Sequence, residues 1–369
     1  MRNLFKIASL LAAAVMLFAC EKANTEGSDL RIVSDKDVIQ ANGQDAATLK
    51  VMLGEKDVTA DAAIYDEDDV PVILDGGKFT TAKVGEYKFY ANYGTLTTFS
   101  KDQDDNGLFV VKAIDVAVPE AVKDAQPENT SFVHRTFLTQ YTGTGCGYCP
   151  YMIKILKGLM DEKVIPGKAV LAAVHSYGSD DPAYINAPRT SNYPYLTLDL
   201  TQGFSHSSGA TVLDKLITDH TFGPAKAGIA VAPAYYKKDG TLIVKVSVKA
   251  AVDGIFNVGA WLLEDDIYGQ QSDYDNVGDD SYDIHENCVR IADSKYKGTW
   301  FGHELGNLAA GEVAEKTFVM NLQESWKDEN LHLAVFVSYG VQDGSRTAYT
   351  VCNAVDAPID APTPFEYVK

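Results

Sequence analysis

Cys146-Gly147-Tyr148-Cys149-Pro150 decides how this chain is read. It follows an apolar stretch, Phe132-Val133-His134-Arg135-Thr136-Phe137-Leu138, and a glycine-rich turn, Thr142-Gly143-Thr144-Gly145. Beyond it Met152, Ile155, Leu156 and Leu159 recur at three- and four-residue spacing, which predicts an amphipathic helix. A C-x-x-C between a strand and a helix is where redox proteins keep a working dithiol. The helix N-terminus stabilises a thiolate, drawing its pKa from near 8.5 to about 3.5–7.5. No acid in the first turn opposes that field. Pro150 lacks an N–H, which a first helical turn does not need. Cys146 is therefore expected to be the exposed nucleophile, and Cys149 the sulfur that resolves a mixed disulfide. A structural disulfide is the competing reading. Zinc would need two further ligands at suitable spacing, and neither a second C-x-x-C nor a His pair is present.

At 369 residues the chain should hold two or three domains. Its 46% hydrophobic and 22% charged residues are those of a globular protein. The formal net charge of −19 argues against nucleic acid and anionic lipid headgroups as partners. Residues 1–19 read as an export signal, with Arg2 and Lys6 ahead of the apolar run Ile7 to Phe18. Leu17-Phe18-Ala19-Cys20 resembles a lipobox, which makes Cys20 the expected lipidation site. The run is shorter than the roughly 18 residues of a membrane span. A lipid on Cys20 would hold the chain at a membrane through acyl chains.

Export sets an oxidising compartment. With Cys20 acylated, Cys146, Cys149, Cys288 and Cys352 remain. Cys288 and Cys352 lie in predicted strands and are candidates for a structural bridge. Closing that loop of about 65 residues would contribute roughly 4 kcal/mol. Two buried free thiols are the alternative.

Residues 20–29 are a polar tether. Residues 30–114 carry short alternating runs, Leu49 to Leu53 and Tyr87 to Ala91, between turns at Asn42-Gly43, Asp75-Gly76-Gly77 and Asn106-Gly107. This predicts an all-β sandwich of immunoglobulin-like type. Residues 115–130, with Pro119 and Pro127, read as a linker. Residues 131–227 then read as an α/β domain. Ala169 to Val174 is a continuous apolar run, expected as a strand buried on both faces. A further helix is expected over 208–220, with Val212, Leu213, Leu216 and Ile217 on one side. Residues 228–369 predict a second all-β sandwich, with strands at 242–249, 255–263, 284–292, 313–321, 331–339 and 347–355.

Tyr193-Pro194 enters an expected strand, as the cis-proline loop beside a thioredoxin-like dithiol does; a plain strand-entry proline is the alternative. His175 closes the strand before it and is a candidate for tuning the thiolate or holding a substrate group. A hydrogen-bonded edge histidine is the plainer reading. Asp102-Gln103-Asp104-Asp105-Asn106-Gly107 matches the opening of a calcium loop, but Ala113 stands at its twelfth position, which favours an acidic hairpin turn. The run Asp273 to Asp283 reads as a solvated acidic loop.

Phe137 to Pro150 as a whole resembles the signature of the 28-kilodalton outer-membrane-protein-related lipoproteins. Val174-His175 and Tyr193-Pro194 are similar to later landmarks of that family. The resemblance covers roughly residues 130–369 and implies a thioredoxin-like domain followed by a β-rich one on an envelope lipoprotein. The first β module is an addition, similar to bacterial immunoglobulin-like modules. Gln140 stands where the family tends to have an acid, and Gly145 where it tends to have an aromatic residue. A buried acid could relay the proton of the second thiol, and Gln140 cannot. The expected function is thiol–disulfide exchange on exported proteins or a redox partner, at the bacterial outer membrane, facing periplasm or exterior. It needs no cofactor beyond the disulfide and no metal. The rival is a non-enzymatic lipoprotein that binds protein or glycan through its β domains.

Overall fold

The computed structural model describes residues 29–100, 107–162, 164–186, 190, 192–295, 299–344 and 346–369. The architecture is multidomain and largely β. Cys20 and the calcium-like stretch 102–106 lie outside the described residues.

The first module is built from two small sheets. Leu30–Ser34 pairs with Ala47–Leu53, while Gly85–Tyr93 lies between Ala63–Asp66 and Phe109–Ile114. Strand alternation explains its core. Ala47, Leu49 and Val51 point inward and are fully buried, Lys50 points out, and Phe89, Ala91 and Val111 close from the other sheet.

The expected linker is not free. Lys249, 1% exposed, donates to Asp124 Oδ2 and to the carbonyls of Gln126 and Pro127. Tyr236 donates to the Ala117 carbonyl, and Val116 and Val118 pack beside Ile243. A buried ammonium must be paired, so Lys249 ties this segment to the last β region.

The boundary expected at residue 227 is not a boundary between sheets. One nine-stranded sheet runs Gln202–Phe204, Tyr195–Leu198, Thr136–Thr142, Ala169–His175, Cys288–Asp293, Gly254–Glu264, Leu331–Asp343 and Arg346–Pro358, with His303–Leu308 on its side. The join is narrow: Ala173 pairs in parallel with Cys288, and Ala173 N–H donates to the Asn287 carbonyl. Asn353 seals a second seam by donating to the carbonyls of Val133 and Ala227 and accepting from Arg135 N–H.

Both faces of this sheet are covered. On one, Leu138, Leu196 and Leu198 meet Met152, Leu156 and Leu159 of α1 (Cys149–Asp161) and Leu213 and Ile217 of a later helix (Ala210–His220). Val212, expected on that inner side, is 46% exposed. On the other face Phe137 stacks on Phe336 and meets Trp261 edge-on. Beyond the join, Phe256, Val258 and Leu262 face a three-stranded sheet of Ala227–Tyr236, Thr241–Ala250 and Val313–Asn321. The last region is thus a sandwich that shares one of its sheets with the α/β part.

Candidate functional site

Thr136–Thr142 is the central strand that delivers the C-x-x-C. Ala169–His175 pairs with it in parallel and Tyr195–Leu198 antiparallel. The chain leaves this strand through Gly143 to Gly145, and α1 begins at Cys149 with Pro150 in its first turn. Cys146 and Cys149 are joined in a disulfide, with Cα atoms 5.4 Å apart. The pairing needs only the turn in which Cys149 N–H donates to the Cys146 carbonyl at 3.0 Å.

The expectation that Cys146 is exposed is overturned. Cys146 is 3% exposed and Cys149 is fully buried. Residues 269–278, far away in sequence, lie over the loop that carries Cys146. Gln271 Nε2 sits 3.0 Å from the Cys146 carbonyl and 3.2 Å from that of Thr144. Ser272 N–H donates to the Thr144 carbonyl at 2.7 Å and Tyr274 N–H to the Gly147 carbonyl at 3.1 Å. The Tyr274 ring lies on Gly147 and meets Tyr148 edge-on at 5.3 Å.

The acidic run expected to be a solvated loop forms part of this cover. Three of its carboxylates shape its turns: Asp273 accepts from Gly278 N–H, Asp279 from Ser281 N–H, and Asp283 from Gln271 N–H, while Asp275 accepts from the Tyr151 hydroxyl of α1 at 3.0 Å. Tyr274 reaches Gly147, between the two cysteines, and Tyr282 is buried.

Tyr193-Pro194 is a cis peptide bond. Pro194 is buried and Tyr193 is half-buried. A chain of rings links it to the dithiol loop. Tyr193 meets Tyr177 edge-on at 5.2 Å, and Tyr177 packs on Gly145 and on Gly143, where a Cβ would come within 2.8 Å of it. Ser176 Oγ lies 2.8 Å from the Tyr193 hydroxyl.

His175 is 1% exposed. Its Nδ1 lies 2.9 Å from Asp181, and its Nε2 3.5 Å from Cys288 Sγ. Asp181 also accepts Thr144 N–H at 2.6 Å and Ala183 N–H at 2.8 Å. Burial would raise the Asp181 pKa, but the His175 contact and these donors bring it down to about 2. His285 meets the His175 ring edge-on and contacts the Gly269 carbonyl at 2.8 Å. Burial and the neighbouring His175 lower the His285 pKa. His175 thus acts on the dithiol loop only through Asp181, and on the root of the cover through His285.

The Cys288–Cys352 bridge does not form. Both thiols are free and buried, Cys288 beside Ala183 and Ile267, Cys352 in the sandwich core. Burial pushes the Cys288 thiol well up and that of Cys352 to about 12. Gln140 is 6% exposed, and its Nε2 has no partner among the described residues.

Sequence reasoning reached Cys146, Cys149 and Pro194 but missed Tyr177, Asp181, Gln271, Tyr274 and His285. One signal was available: glycine at 143 and 147 marks close approach by other groups. Among the described residues no group of three or more His, Cys, Asp or Glu could hold a metal ion. No helix among them is long and apolar enough to cross a membrane.

No family model and no curated protein matches the chain. Among solved structures it is similar to HBP35 of Porphyromonas gingivalis, at 16% identity over 63% of this chain and 78% of that one, with a TM-score of 0.49. Likeness at that level assigns neither fold nor function.

Proposed function

We propose that this is an envelope lipoprotein, anchored through Cys20 at the bacterial outer membrane, whose thioredoxin-like domain exchanges disulfides with exported proteins. The reading rests on one observation: a disulfide at the mouth of α1, fed by the central strand of a β-α-β and β-β-α sheet. That strand order, and the cis bond at Pro194, resemble the thioredoxin core. The first module supports the immunoglobulin-like reading through its two sheets around one core.

Chemically, the reduced Cys146 thiolate attacks one sulfur of a partner disulfide. The new S–S bond forms as the old one breaks, and the departing partner thiolate takes a proton. Cys149, as thiolate, then attacks the Cys146 sulfur and releases the second partner thiol. The protein dithiol is oxidised and the partner disulfide reduced; the reverse sequence runs when the partner is the stronger reductant. The cover must move before either step.

The burial of both sulfurs favours a second reading, in which the disulfide is a fixed crosslink in a binding protein. Ring size argues the other way. A loop of about four residues contributes only ~2 kcal/mol on the chain-entropy relation, well below what a long loop supplies. A glutathione titration of the full mature chain separates the two. A potential between about −120 and −270 mV supports exchange, and one below about −300 mV supports the crosslink.

A further inference from the structure

The segment Gly269 to Gly278 lies on the dithiol loop as a separate polypeptide would. Alternate residues, Ser272 and Tyr274, donate main-chain N–H groups to the carbonyls of Thr144 and Gly147. The donors stand two residues apart and their acceptors three, so the segment lies across the carbonyls of a turn and does not extend a sheet. The side chain between Gly269 and Ser272 that serves as an anchor is Gln271, whose amide nitrogen faces the carbonyls of Gly143, Thr144 and Cys146. Gly147 does not adopt a left-handed conformation, so backbone freedom does not explain its glycine. Space does: a Cβ there would come within 2.5 Å of the Tyr274 ring.

The grip is also light. Tyr274 remains 65% exposed, so it buries little apolar area. Gln271 Oε1 is buried with no partner among the described residues, which weakens the anchor. Besides these contacts, Asp275 accepts an exposed hydrogen bond from the Tyr151 hydroxyl, and Gly269 is fixed at the root by Asp283 and His285, so the tip can lift while the root stays. The exchange chemistry proposed above requires that the tip lift.

We propose that residues 269–278 are an internal occupant of a peptide-binding face formed by the carbonyls of residues 143–147. The external partner is then an extended polypeptide segment with an aromatic residue that seats on Gly147. This rests on the exchange reading for its purpose, but not for its test. Binding by the partner displaces the cover and uncovers Cys146 in one event, so the dithiol stays shielded from other thiols until a suitable chain arrives. The cover holds its place through its covalent attachment, which gives it a local concentration in the millimolar range.

The probe is a synthetic peptide of residues 268–279 and its form with alanine for the tyrosine at 274. It is added at about millimolar concentration to the reduced full mature chain, and iodoacetamide labelling of Cys146 is followed by mass spectrometry. Tyr274→Ala and Gln271→Ala chains should label at least about tenfold faster than the unaltered chain. The tyrosine peptide should slow that labelling again, and the alanine peptide should not. Gly147→Ala, which evicts the ring from the other side, should speed labelling in the same way. Equal labelling of all four chains, or equal protection by both peptides, overturns the proposal. The glutathione potential of the couple reads the exchange chemistry separately, so that either idea can fail alone.

Discussion

Asp181 accepts the Thr144 N–H at 2.6 Å while its carboxylate also holds His175 Nδ1 at 2.9 Å. One buried carboxylate therefore joins the strand end behind the dithiol to the loop that carries it. The arrangement couples His175 to the dithiol loop through Asp181. It also gives one buried charge a share in holding the loop.

That charge sets an acid limit. The folded Asp181 pKa is about 2, below the ordinary value of 3.8. A depressed carboxyl stabilises the fold fully above its unfolded pKa and loses that contribution as pH falls through the folded one. Asp181→Asn should therefore lower Tm at neutral pH, by the equivalent of about 1–3 kcal/mol for the disrupted buried acceptor. The gap between the two proteins should stay constant above pH 5 and close between about pH 4 and pH 2. A pH series of thermal melts measures it; a gap that persists unchanged at pH 2 contradicts the assignment.

His332 sets a limit in the opposite direction. Its Nδ1 lies 2.8 Å from Asp356 and its Nε2 3.4 Å from Asp265. Burial alone would lower its pKa, but the two carboxylates raise it to about 9. A raised histidine stabilises fully below its unfolded pKa of 6.5 and ceases to as pH passes the folded value. The unaltered chain should lose Tm between about pH 6.5 and 9, and His332→Gln should flatten that slope. Nuclear magnetic resonance of the imidazole protons gives the titration directly. A midpoint near 6.5 would show that the carboxylates do not act on it.

Much of this is legible in the chain where a signal is local. The stripe of Met152, Leu156 and Leu159 specifies α1, and alternation specifies most strands of the last region. The strand buried on both faces, Ala169–His175, is equally plain. What escapes is whatever depends on distant pairing. The join between the two sheet halves is one parallel pair, Ala173 with Cys288, more than a hundred residues apart and without turn chemistry to announce it. The cover escapes for a related reason. Its grip uses main-chain N–H groups, which every residue but proline carries, so Ser272 and Tyr274 leave no mark. Its acidic residues do lie largely in solvent, so nothing in them announces the contacts that the same stretch makes with the dithiol loop.

The two free thiols give a direct count. Cys288 and Cys352 are 0% and 5% exposed, and burial raises both pKa values. Ellman's reagent should find almost no reactive thiol in the native mature chain, since the thiolate is the attacking form. In denaturant it should find two per chain with Cys20 acylated or replaced by serine. A count of zero in denaturant would reveal a bridge between them.

A continuous sheet should unfold as a unit. Phe137 belongs to the strand that carries the dithiol, yet it packs against Trp261 and Phe336 of the last β region. All three are fully buried, and Trp261 also donates to Ser294 Oγ at 2.8 Å. Truncating such a ring costs about 3–5 kcal/mol through lost transfer and the cavity left behind. Phe137→Ala should therefore destabilise the α/β part and the sandwich together. In urea, indole fluorescence follows the sandwich and far-ultraviolet dichroism near 222 nm follows the helices, since Trp261 lies in the first and α1 in the second. For residues 131–369 the two transitions should coincide before and after the substitution, shifted to lower urea by the same amount. If the helical signal moves while the indole signal stays, the halves are separate domains and the shared sheet carries no cooperativity.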